Sequence, residues 1–362
     1  MIMRLRTLTI ASLIICFVLI LTGCGVQLAL LPVGLPASQT ETRALMPLVL
    51  KDAHRLTTKI TRNYTWKFSG IEWTWELRIP ESLYNYYREL PRPSTRDYSV
   101  YITHPIDDAC IDKMVTEIGR IAQRQHFNER ETIEFTAAFV QSLPYAEDSV
   151  ATPYEEYPRY PLETLFDMAG DCEDTSILLA SLLDRMGLGV VLVYFPSVAG
   201  RQGHYGIGVL SVEGIYGTNW EYDGKRYFYI ETTRKGMRMG AISGVWAGAS
   251  PEIIALTPSP FLIYDWKATT DGGIVELEVT IENIGLAKAD NVYIFAGFEV
   301  YDEEEYYGGN ILYNTEKSRR FDILAGQSKV VRLTLEVPVS GYGVLLINVI
   351  YNGSVVDKGY FE

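Results

Sequence analysis

The chain has 362 residues, of which 48% are hydrophobic and 12% aromatic, and its formal net charge is −13 at pH 7. A length of about 150 residues per domain predicts roughly two or three domains, and the apolar and aromatic content excludes a disordered chain. The acidic balance, with no cluster of lysine or arginine to offset it, excludes a nucleic-acid-binding protein.

The first 23 residues have the composition of a secretion signal. Arg4 and Arg6 form a positively charged start, and residues 8–21 form an apolar run that is short for a membrane span. The run ends in a motif that resembles the lipobox of prokaryotic lipoproteins, Leu21-Thr22-Gly23-Cys24. The resemblance implies cleavage before Cys24, lipidation of its sulfur, and a globular part held at the cell membrane outside the cytoplasm. The alternative is an uncleaved N-terminal anchor helix, which places the globular part on the same side.

Residues 24–60 are expected to be a tether or spacer, with an early helix as the alternative for residues 36–60. An aromatic hairpin follows, in which Ser69 and Gly70 form the turn and apolar residues alternate with polar ones on both sides. We interpret its aromatic stripe as the half-buried face of the hairpin and not as a platform for a glycan or peptide. Two helices are predicted next, over residues 107–125 and 128–143.

A further helix is predicted to begin at Cys172. Asp171 is a good N-cap residue, Asp174 lies at the position of a capping-box acid, and Gly187 ends the helix. A thiol on the first turn of a helix faces unpaired backbone N–H groups, which favours the thiolate, but the carboxylates of Glu173 and Asp174 oppose that effect. A nucleophilic thiol at this place would therefore need a base. The alternative is a small buried cysteine that begins an ordinary core helix.

After this helix the pattern changes to strands. Residues 190–195 form a continuous apolar run, which is typical of a strand buried on both faces. A second strand begins at His204, and a third, residues 225–233, carries Glu231. A thiol, an imidazole and a carboxylate thus follow one another in the order of a Cys–His–acid site. In such a site His204 takes the thiol proton and later protonates the leaving amine, while Glu231 holds the other ring nitrogen.

Three histidines fit the role of the base less well. His54 lies in the spacer, His104 precedes a proline, and His126 is at a helix boundary. His204 is therefore the candidate base.

Two questions stay open at this site. The four cysteines are too few for a disulfide framework, but a Cys110–Cys172 bridge in an oxidising compartment is the main rival to a reactive thiol. An oxyanion donor could come from the segment that leads to the cysteine helix, although most side chains there are expected to be packing residues. The sequence does not choose among the candidates, which are Gln141, Tyr145, Tyr157 and Tyr160.

The three chemical groups stand in the segments Gly170-Asp171-Cys172-Glu173-Asp174, Gly203-His204 and Tyr227-Phe228-Tyr229-Ile230-Glu231-Thr232-Thr233. Over about residues 60–245 these segments resemble the transglutaminase-like superfamily, whose core is shared with papain-type cysteine peptidases. The acid of that family is usually an aspartate followed by Pro-Thr. This chain has Glu231 followed by two threonines, which leaves Asp223 as a second candidate for the acid.

The resemblance implies thiol-based acyl transfer at an amide. A thioester forms on Cys172 and is taken by water, as in a peptidase or amidase, or by an amine, as in crosslinking. The expected substrate is a peptide, a protein or an amide of the cell envelope. The chain has neither the acidic calcium loops of animal transglutaminases nor a Cys/His spacing typical of zinc, so we expect no cofactor and no required metal.

From about residue 258 the sequence alternates apolar and polar residues in the manner of strands. The alternation is clear over residues 275–282 and 331–337, and Asn352-Gly353 predicts a hairpin turn. About 100 residues of such strands predict a β-sandwich. Residues 279–285 resemble the fibronectin-III or CARDB type of extracellular module. We interpret the acidic stretch at residues 301–307 as a solvated loop and not as a cation site.

The sequence therefore predicts an α+β chain with a cysteine helix packed on an antiparallel sheet and an all-β sandwich after it. Its parts are a lipoprotein signal peptide (1–23), a tether (24–60), a transglutaminase-like domain (61–256) and an immunoglobulin- or fibronectin-III-like β-sandwich (257–362). The predicted function is a membrane-anchored, extracytoplasmic cysteine peptidase or amidase with Cys172, His204 and Glu231 as catalytic groups. The alternative is a non-catalytic binding or scaffold lipoprotein of the envelope with a degenerate core.

Overall fold

The structure is a computed structural model. It describes residues 27–30, 40–43, 58–90, 92, 95–148, 157–198, 202–210, 216–301, 310–338 and 344–356. The signal peptide, its alternative as an anchor helix, the lipidation site Cys24 and the loop at residues 302–307 lie outside the described residues and stay predictions. No helix in the described part of the chain combines the length and the apolar character needed to cross a membrane.

The first described elements are strands, namely β1 (Gln27–Leu30), β2 (Thr40–Arg43), β3 (Lys59–Phe68) and β4 (Ile71–Pro80). β3 and β4 form the predicted hairpin, and Ser69 and Gly70 take the positive φ angles of 50° and 80° that the turn between them requires. The ring of Trp66 in β3 lies 5.5 Å from Phe135 and 5.2 Å from Phe139. The aromatic stripe therefore belongs to the core, as we interpreted it.

The helices lie between the hairpin and the central sheet. They are α1 (Glu81–Glu89), α2 (Ser99–Ile102), α3 (Asp108–Gln125), α4 (Glu129–Val140), α5 (Pro161–Asp167) and α6 (Cys172–Arg185). Helix α6 packs against α3, α4 and α5, and its side chains are buried from Cys172 to Leu183. Gly187 ends it with a φ of 83°, in the left-handed region that glycine adopts without strain. The helix that carries the candidate thiol is thus the central helix of the core.

The central sheet is antiparallel and has the strand order β7-β8-β6-β5-β9. Its strands are β5 (Val190–Phe195), β6 (His204–Leu210), β7 (Asn219–Tyr222), β8 (Lys225–Ile230) and β9 (Glu252–Ala255). Helix α6 packs on β5 and β6. Leu192 of β5 belongs to the core shared with α6, and Val191 and Val193 belong to a second core on the opposite face. β5 is therefore buried on both faces, as its apolar run predicted.

The rest of the described chain consists of strands. They are β10 (Leu262–Asp271), β11 (Ile274–Asn283), β12 (Ala289–Tyr301), β13 (Asn310–Lys317), β14 (Phe321–Ile323), β15 (Ser328–Glu336), β16 (Val344–Tyr351) and β17 (Ser354–Val355). One sheet has the order β1-β16-β12-β13, with β14 beside β12 and β17 beside β16, and the other has the order β15-β11-β10-β2. Both contribute to one hydrophobic core. Asn352 and Gly353 form the predicted hairpin turn, with φ angles of 50° and 80°.

The segment at residues 24–60, which we expected to be a tether, contributes two strands to these sheets. β1 pairs with β16, with Gln27 opposite Ile347, and β2 pairs with β10, with Arg43 opposite Lys267. Each of the two strands occupies one edge of its sheet. Without β1 and β2, the strands β16 and β10 would each have one side with unpaired backbone N–H and C=O groups. The two short strands supply hydrogen-bond partners for those groups.

Candidate active site

The start of α6 is fixed by residues on both sides of Cys172. Asp171 and Asp174 form a capping box, in which the Asp171 N–H donates to Oδ2 of Asp174 over 3.3 Å. The Thr175 hydroxyl donates to the Asp171 carbonyl over 2.7 Å. A Cβ added at Gly170 would lie 2.6 Å from Cβ of Asp174, so only glycine fits before the cap. The sequence motif around Cys172 is therefore a structural device that places the thiol on the first turn.

A buried ion-pair cluster holds this turn against the preceding segment. Arg159 is only 2% exposed. Its guanidinium pairs with Asp174, with Asp148 over 3.1 Å and with Asp167 over 3.4 Å. Its backbone N–H donates to Oδ1 of Asp174 over 2.7 Å. Asp174 thus caps the helix and neutralises a buried cation at once.

His204 and Glu231 come together through the pairing of β6 with β8. His204 begins β6, Glu231 follows the last residue of β8, and Ile207 pairs with Ile230 in the ladder between them. The distance between His204 Nε2 and Glu231 Oε2 is 3.0 Å. Because Nε2 faces the carboxylate, Nδ1 is the ring nitrogen that remains for a thiol proton. Asp223, the second candidate for the acid, lies in the exposed turn between β7 and β8.

The Glu231 carboxylate is held by donors besides His204. The Tyr229 hydroxyl donates to Oε2 over 3.0 Å, and the N–H and hydroxyl of Thr233 donate to Oε1 over 3.0 and 2.7 Å. Burial alone would raise the pKa of Glu231, but the hydrogen bond and charge of His204 and the Thr233 bonds lower it to about 2. A Cβ added at Gly206 would lie 2.5 Å from Cε2 of Tyr229, so glycine in β6 leaves the space that Tyr229 needs.

The imidazole of His204 is covered by aromatic rings. The Trp246 ring is nearly parallel to it, at 7° with the centroids 5.7 Å apart, and Phe195 lies at 23° and 6.3 Å. These rings restrict the rotation of the imidazole and keep water from its face. Trp246 lies in a segment without regular secondary structure, so nothing in the sequence connected it with His204.

The thiol of Cys172 lies beside the start of β6. Its sulfur accepts a hydrogen bond from the backbone N–H of Tyr205, the residue that follows His204, and donates to Oε2 of Glu173 over 3.2 Å. Burial, followed by the charges of Glu173 and Asp171, raises the pKa of the Cys172 thiol well above its ordinary value. The resting group is therefore a protonated thiol, and attack requires a base. The position of Cys172 on the first helical turn predicted a lowered thiol pKa. Burial raises the pKa by more than the helix terminus lowers it.

Cys110 does not pair with Cys172. Both are free thiols, and Cys110 is buried in the main core on α3. Burial and the Asp107 charge raise the pKa of the Cys110 thiol to about 12, so it is unreactive in the folded protein. The disulfide that we considered as a rival is absent between the described cysteines.

Cys172 lines a cleft of about 360 Å³. Its walls mix aromatic and charged side chains, and the Arg96 guanidinium lies over the Tyr194 ring at 5.2 Å. Cys172 itself is 9% exposed, so only a small part of the residue meets this cleft. Other residues of the wall are Tyr98, Tyr145, Gln202 and Tyr205.

Three carboxylates beside the thiol form a candidate cation site. Within the described residues, one oxygen from each of Asp148, Asp171 and Glu173 lies within 4.8 Å of the others. Burial, and then the charges of Asp174 and Glu173, raise the pKa of Asp171, and its Oδ1 has no hydrogen-bond partner. Carboxylate oxygens are ligands that Ca²⁺ accepts. Sequence reasoning missed this cluster because Asp148 comes from a distant segment.

No protein-family model and no curated protein matches the chain. Among solved structures, calcium-bound Legionella pneumophila LapG is similar, with 14% identity, a TM-score of 0.26, and coverage of 44% of this chain and 86% of that chain. Another structure of Legionella pneumophila LapG has 16% identity, a TM-score of 0.24, and coverage of 44% and 84%. Red sea bream transglutaminase has 9% identity, a TM-score of 0.20, and coverage of 88% and 64%.

The identities and TM-scores are low, so we transfer no residue role from these proteins. What the site can do follows from its own geometry.

Proposed function

We propose that the protein is a transglutaminase-like cysteine peptidase or amidase that acts on an amide bond through a thioester on Cys172. The observation that supports this most directly is the hydrogen bond between His204 and Glu231 beside a thiol that contacts the Tyr205 N–H. A protein without catalysis has no need of a hydrogen-bonded imidazole–carboxylate pair next in the chain to the residue that donates to a thiol lining a cleft.

The reaction begins with the transfer of the Cys172 proton to Nδ1 of His204. Because the pKa of the thiol is raised, this transfer accompanies the attack of sulfur on the substrate carbonyl carbon. The C–S bond forms, the carbonyl electron pair moves to oxygen, and Glu231 stabilises the imidazolium. The intermediate then collapses with cleavage of the C–N bond, and His204 returns the proton to the leaving amine.

The thioester is released by a second nucleophile. Water or an amine gives a proton to His204, attacks the acyl carbon and displaces the sulfur, which recovers the proton. Water makes the protein a hydrolase and an amine makes it a crosslinking enzyme. Both use the same three groups, Cys172 as nucleophile, His204 as base and acid, and Glu231 as the group that orients the imidazole.

We further propose that this activity is extracytoplasmic and tethered to the membrane by a lipid on Cys24. The lipobox-like motif supports this. The substrate is then a peptide, a protein or an envelope amide. Labelling with a radioactive fatty acid, with Cys24→Ser as control, tests the anchor; equal label in both proteins would contradict it.

One observation favours the alternative, a non-catalytic binding or scaffold lipoprotein. The thiol donates a hydrogen bond to Glu173 and its pKa is raised, which is the state of an unreactive cysteine. Binding of a peptide or envelope polymer that Cys172→Ala leaves unchanged would support this alternative.

Alkylation by iodoacetamide tests the proposed function. We expect alkylation at Cys172 and not at Cys110 in the folded protein, and a rate at Cys172 that falls about 10²-fold or more in His204→Ala because the base is lost. Cys172→Ala is the matched control, because it retains only Cys110 among the described cysteines, and that thiol is buried. An alkylation rate at Cys172 no higher than that of free cysteine, or one that His204→Ala leaves unchanged, would contradict the proposed enzymatic function.

A further inference from the structure

We propose that the hydroxyl of Tyr145 donates a hydrogen bond to the oxyanion that forms when Cys172 attacks a carbonyl group. This inference rests on the proposed function, because it assigns a further catalytic residue to the same reaction. It also decides among the four oxyanion candidates that the sequence left open.

The other three candidates are engaged elsewhere. The Gln141 side-chain NH₂ group donates to the backbone carbonyls of Glu231 and Met237, and its amide oxygen accepts from the Gly236 N–H. These bonds hold the loop after β8 in place. These bonds leave Gln141 no donor for the cleft.

The remaining two tyrosines are equally committed. The Tyr157 hydroxyl donates to Glu163 over 2.9 Å and lies 2.5 Å from the Arg92 guanidinium. Tyr160 is buried among aromatic rings, with its ring centroid 4.6 Å from those of Tyr87 and Tyr101. Neither side chain takes part in lining the cleft.

Tyr145 differs from them in both position and exposure. Its side chain is 55% exposed and lines the same cleft as Cys172. Its backbone forms a parallel bridge with Gly170, since the Gly170 N–H donates to Pro144 over 3.2 Å and the Ala146 N–H donates to Gly170 over 3.1 Å. The backbone on both sides of the tyrosine is thus bonded to Gly170, the residue that lies two positions before Cys172.

The chemistry of the hydroxyl suits the role. Burial, followed by the charge of a Cys172 thiolate and then those of Asp171, Glu173 and Glu147, raises the pKa of Tyr145. The hydroxyl therefore keeps its proton at every pH at which the thiol works and can donate it to an oxyanion. The N–H groups of the first helical turn have no intrahelical acceptor, so the Cys172 N–H is the natural second donor.

Two reactions of the same thiol separate this role from a structural one. Acylation by 4-nitrophenyl acetate passes through a tetrahedral oxyanion: a C–S bond forms, the C–O bond to 4-nitrophenolate breaks, and the thiol proton goes to His204. Alkylation by iodoacetamide displaces iodide at a saturated carbon and forms no oxyanion. We expect Tyr145→Phe to lower the acylation rate about 10²- to 10³-fold, as the loss of one oxyanion donor does. The same variant should leave the alkylation rate within about 2-fold, since alkylation involves no such intermediate.

The controls identify the hydroxyl as the cause. Tyr222→Phe removes the hydroxyl of an exposed tyrosine of β7 that does not line the cleft, and it should change neither rate. Tyr145→Leu should match Tyr145→Phe in both reactions, because both lack a donor. All variants are compared at equal thermal stability, measured by circular dichroism.

Each contrary outcome has its own meaning. If Tyr145→Phe lowers both rates together, or neither, Tyr145 is not an oxyanion donor, and the proposed function stands. If iodoacetamide does not label the wild-type thiol, the proposed function fails and this inference fails with it.

Discussion

His204 and Glu231 are joined by a hydrogen bond of 3.0 Å although 27 residues separate them in the chain. The pairing of β6 with β8 brings them together, and the carboxylate is held at its other oxygen by Thr233. A glutamate here is one methylene longer than the aspartate usual in the transglutaminase-like superfamily. The Tyr229 and Thr233 bonds fix the orientation of this longer side chain, so the length of the acid is matched by the donors around it.

We expect Glu231 to contribute stability that depends on pH. Its pKa of about 2, against an ordinary 4.5, means that the folded protein gains stability above pH 4.5 and loses it as the pH falls toward 2. Glu231→Gln should therefore lower the free energy of unfolding by up to about 3 kcal/mol near pH 6. Urea denaturation measures this, with Glu221→Gln, an exposed glutamate of β7, as control. A difference that grows as the pH falls would contradict the prediction.

Gly206→Ala should disturb the site through Tyr229. The added Cβ would lie 2.5 Å from Cε2 of that ring, so the tyrosine must move and Glu231 loses a donor. We expect a loss of stability of about 1–3 kcal/mol and a slower alkylation of Cys172. The control is Gly119→Ala in α3, where the added Cβ meets open space. This substitution should not lower the free energy of unfolding. Equal alkylation rates in the two variants would show that Tyr229 does not position the acid.

Arg159→Met should be strongly destabilising. It leaves Asp148 and Asp174 buried without their cation, and breaking a buried pair typically costs about 3–5 kcal/mol. Arg120→Met removes the partner of Glu117 in a solvent-exposed pair on α3 and should lower the free energy of unfolding far less than Arg159→Met does. Urea denaturation of both variants gives the comparison. Similar losses in the two would mean that the cluster around Arg159 is not what fixes the start of α6.

Asp107, the residue before α3, should give the opposite pH dependence to Glu231. Burial, and then the Asp108 charge, raise its pKa from an ordinary 3.8 to about 7. The stability it contributes is complete below pH 3.8 and is lost as the pH rises through 7. Asn does not ionise, so Asp107→Asn does not lose stability as the pH rises. We expect its free energy of unfolding, relative to that of wild type, to increase by on the order of 1–4 kcal/mol between about pH 4 and 8.

His104 must be separated from this effect. Burial of the His104 side chain lowers its pKa to about 3. The contribution of His104 to stability therefore decreases as the pH falls in the acid range. The difference between wild type and Asp107→Asn, measured by thermal denaturation at several pH values, isolates the aspartate because both proteins retain His104. A difference that does not change with pH would contradict the prediction.

Calcium should raise the melting temperature of the protein. The oxygens of Asp148, Asp171 and Glu173 lie within 4.8 Å of one another, and a bound cation would relieve their repulsion. Calorimetry with and without Ca²⁺ measures the shift, and Asp171→Asn should reduce it. The sequence-based expectation that no metal is required is tested separately, by the alkylation rate in a chelator. A melting temperature that Ca²⁺ does not change would mean that the three carboxylates bind no cation.

The sequence predicts those parts of the fold that local patterns encode. The cap residues Asp171 and Asp174, the Ser69-Gly70 turn and the apolar run of β5 each satisfy a backbone requirement that is visible in a few residues. The order of thiol, imidazole and carboxylate was visible for the same reason, since each group begins or follows a regular element.

The supporting residues could not be predicted, because tertiary structure alone assembles them. Tyr229 reaches Glu231 only across the space above Gly206, and Trp246 reaches His204 from a loop. The raised pKa of the Cys172 thiol depends first on burial, which no local pattern reports. β1 has four residues, too few to show a period, and its place is decided by the sheet edge that it completes.

The position of β1 determines which part of the protein a lipid on Cys24, as proposed, would hold at a membrane. Only two residues, Gly25 and Val26, separate the cysteine of the lipobox-like motif from Gln27, so the three steps from one Cα atom to the other span at most about 10 Å. A lipid on Cys24 would hold the β-sandwich directly against the lipid headgroups, with no long linker between the sandwich and the membrane. Because β1 and β2 precede residues 61–256 and their partner strands follow them, a single cut near residue 257 would leave β1 and β2 without partners and both sheets of the sandwich without an edge strand.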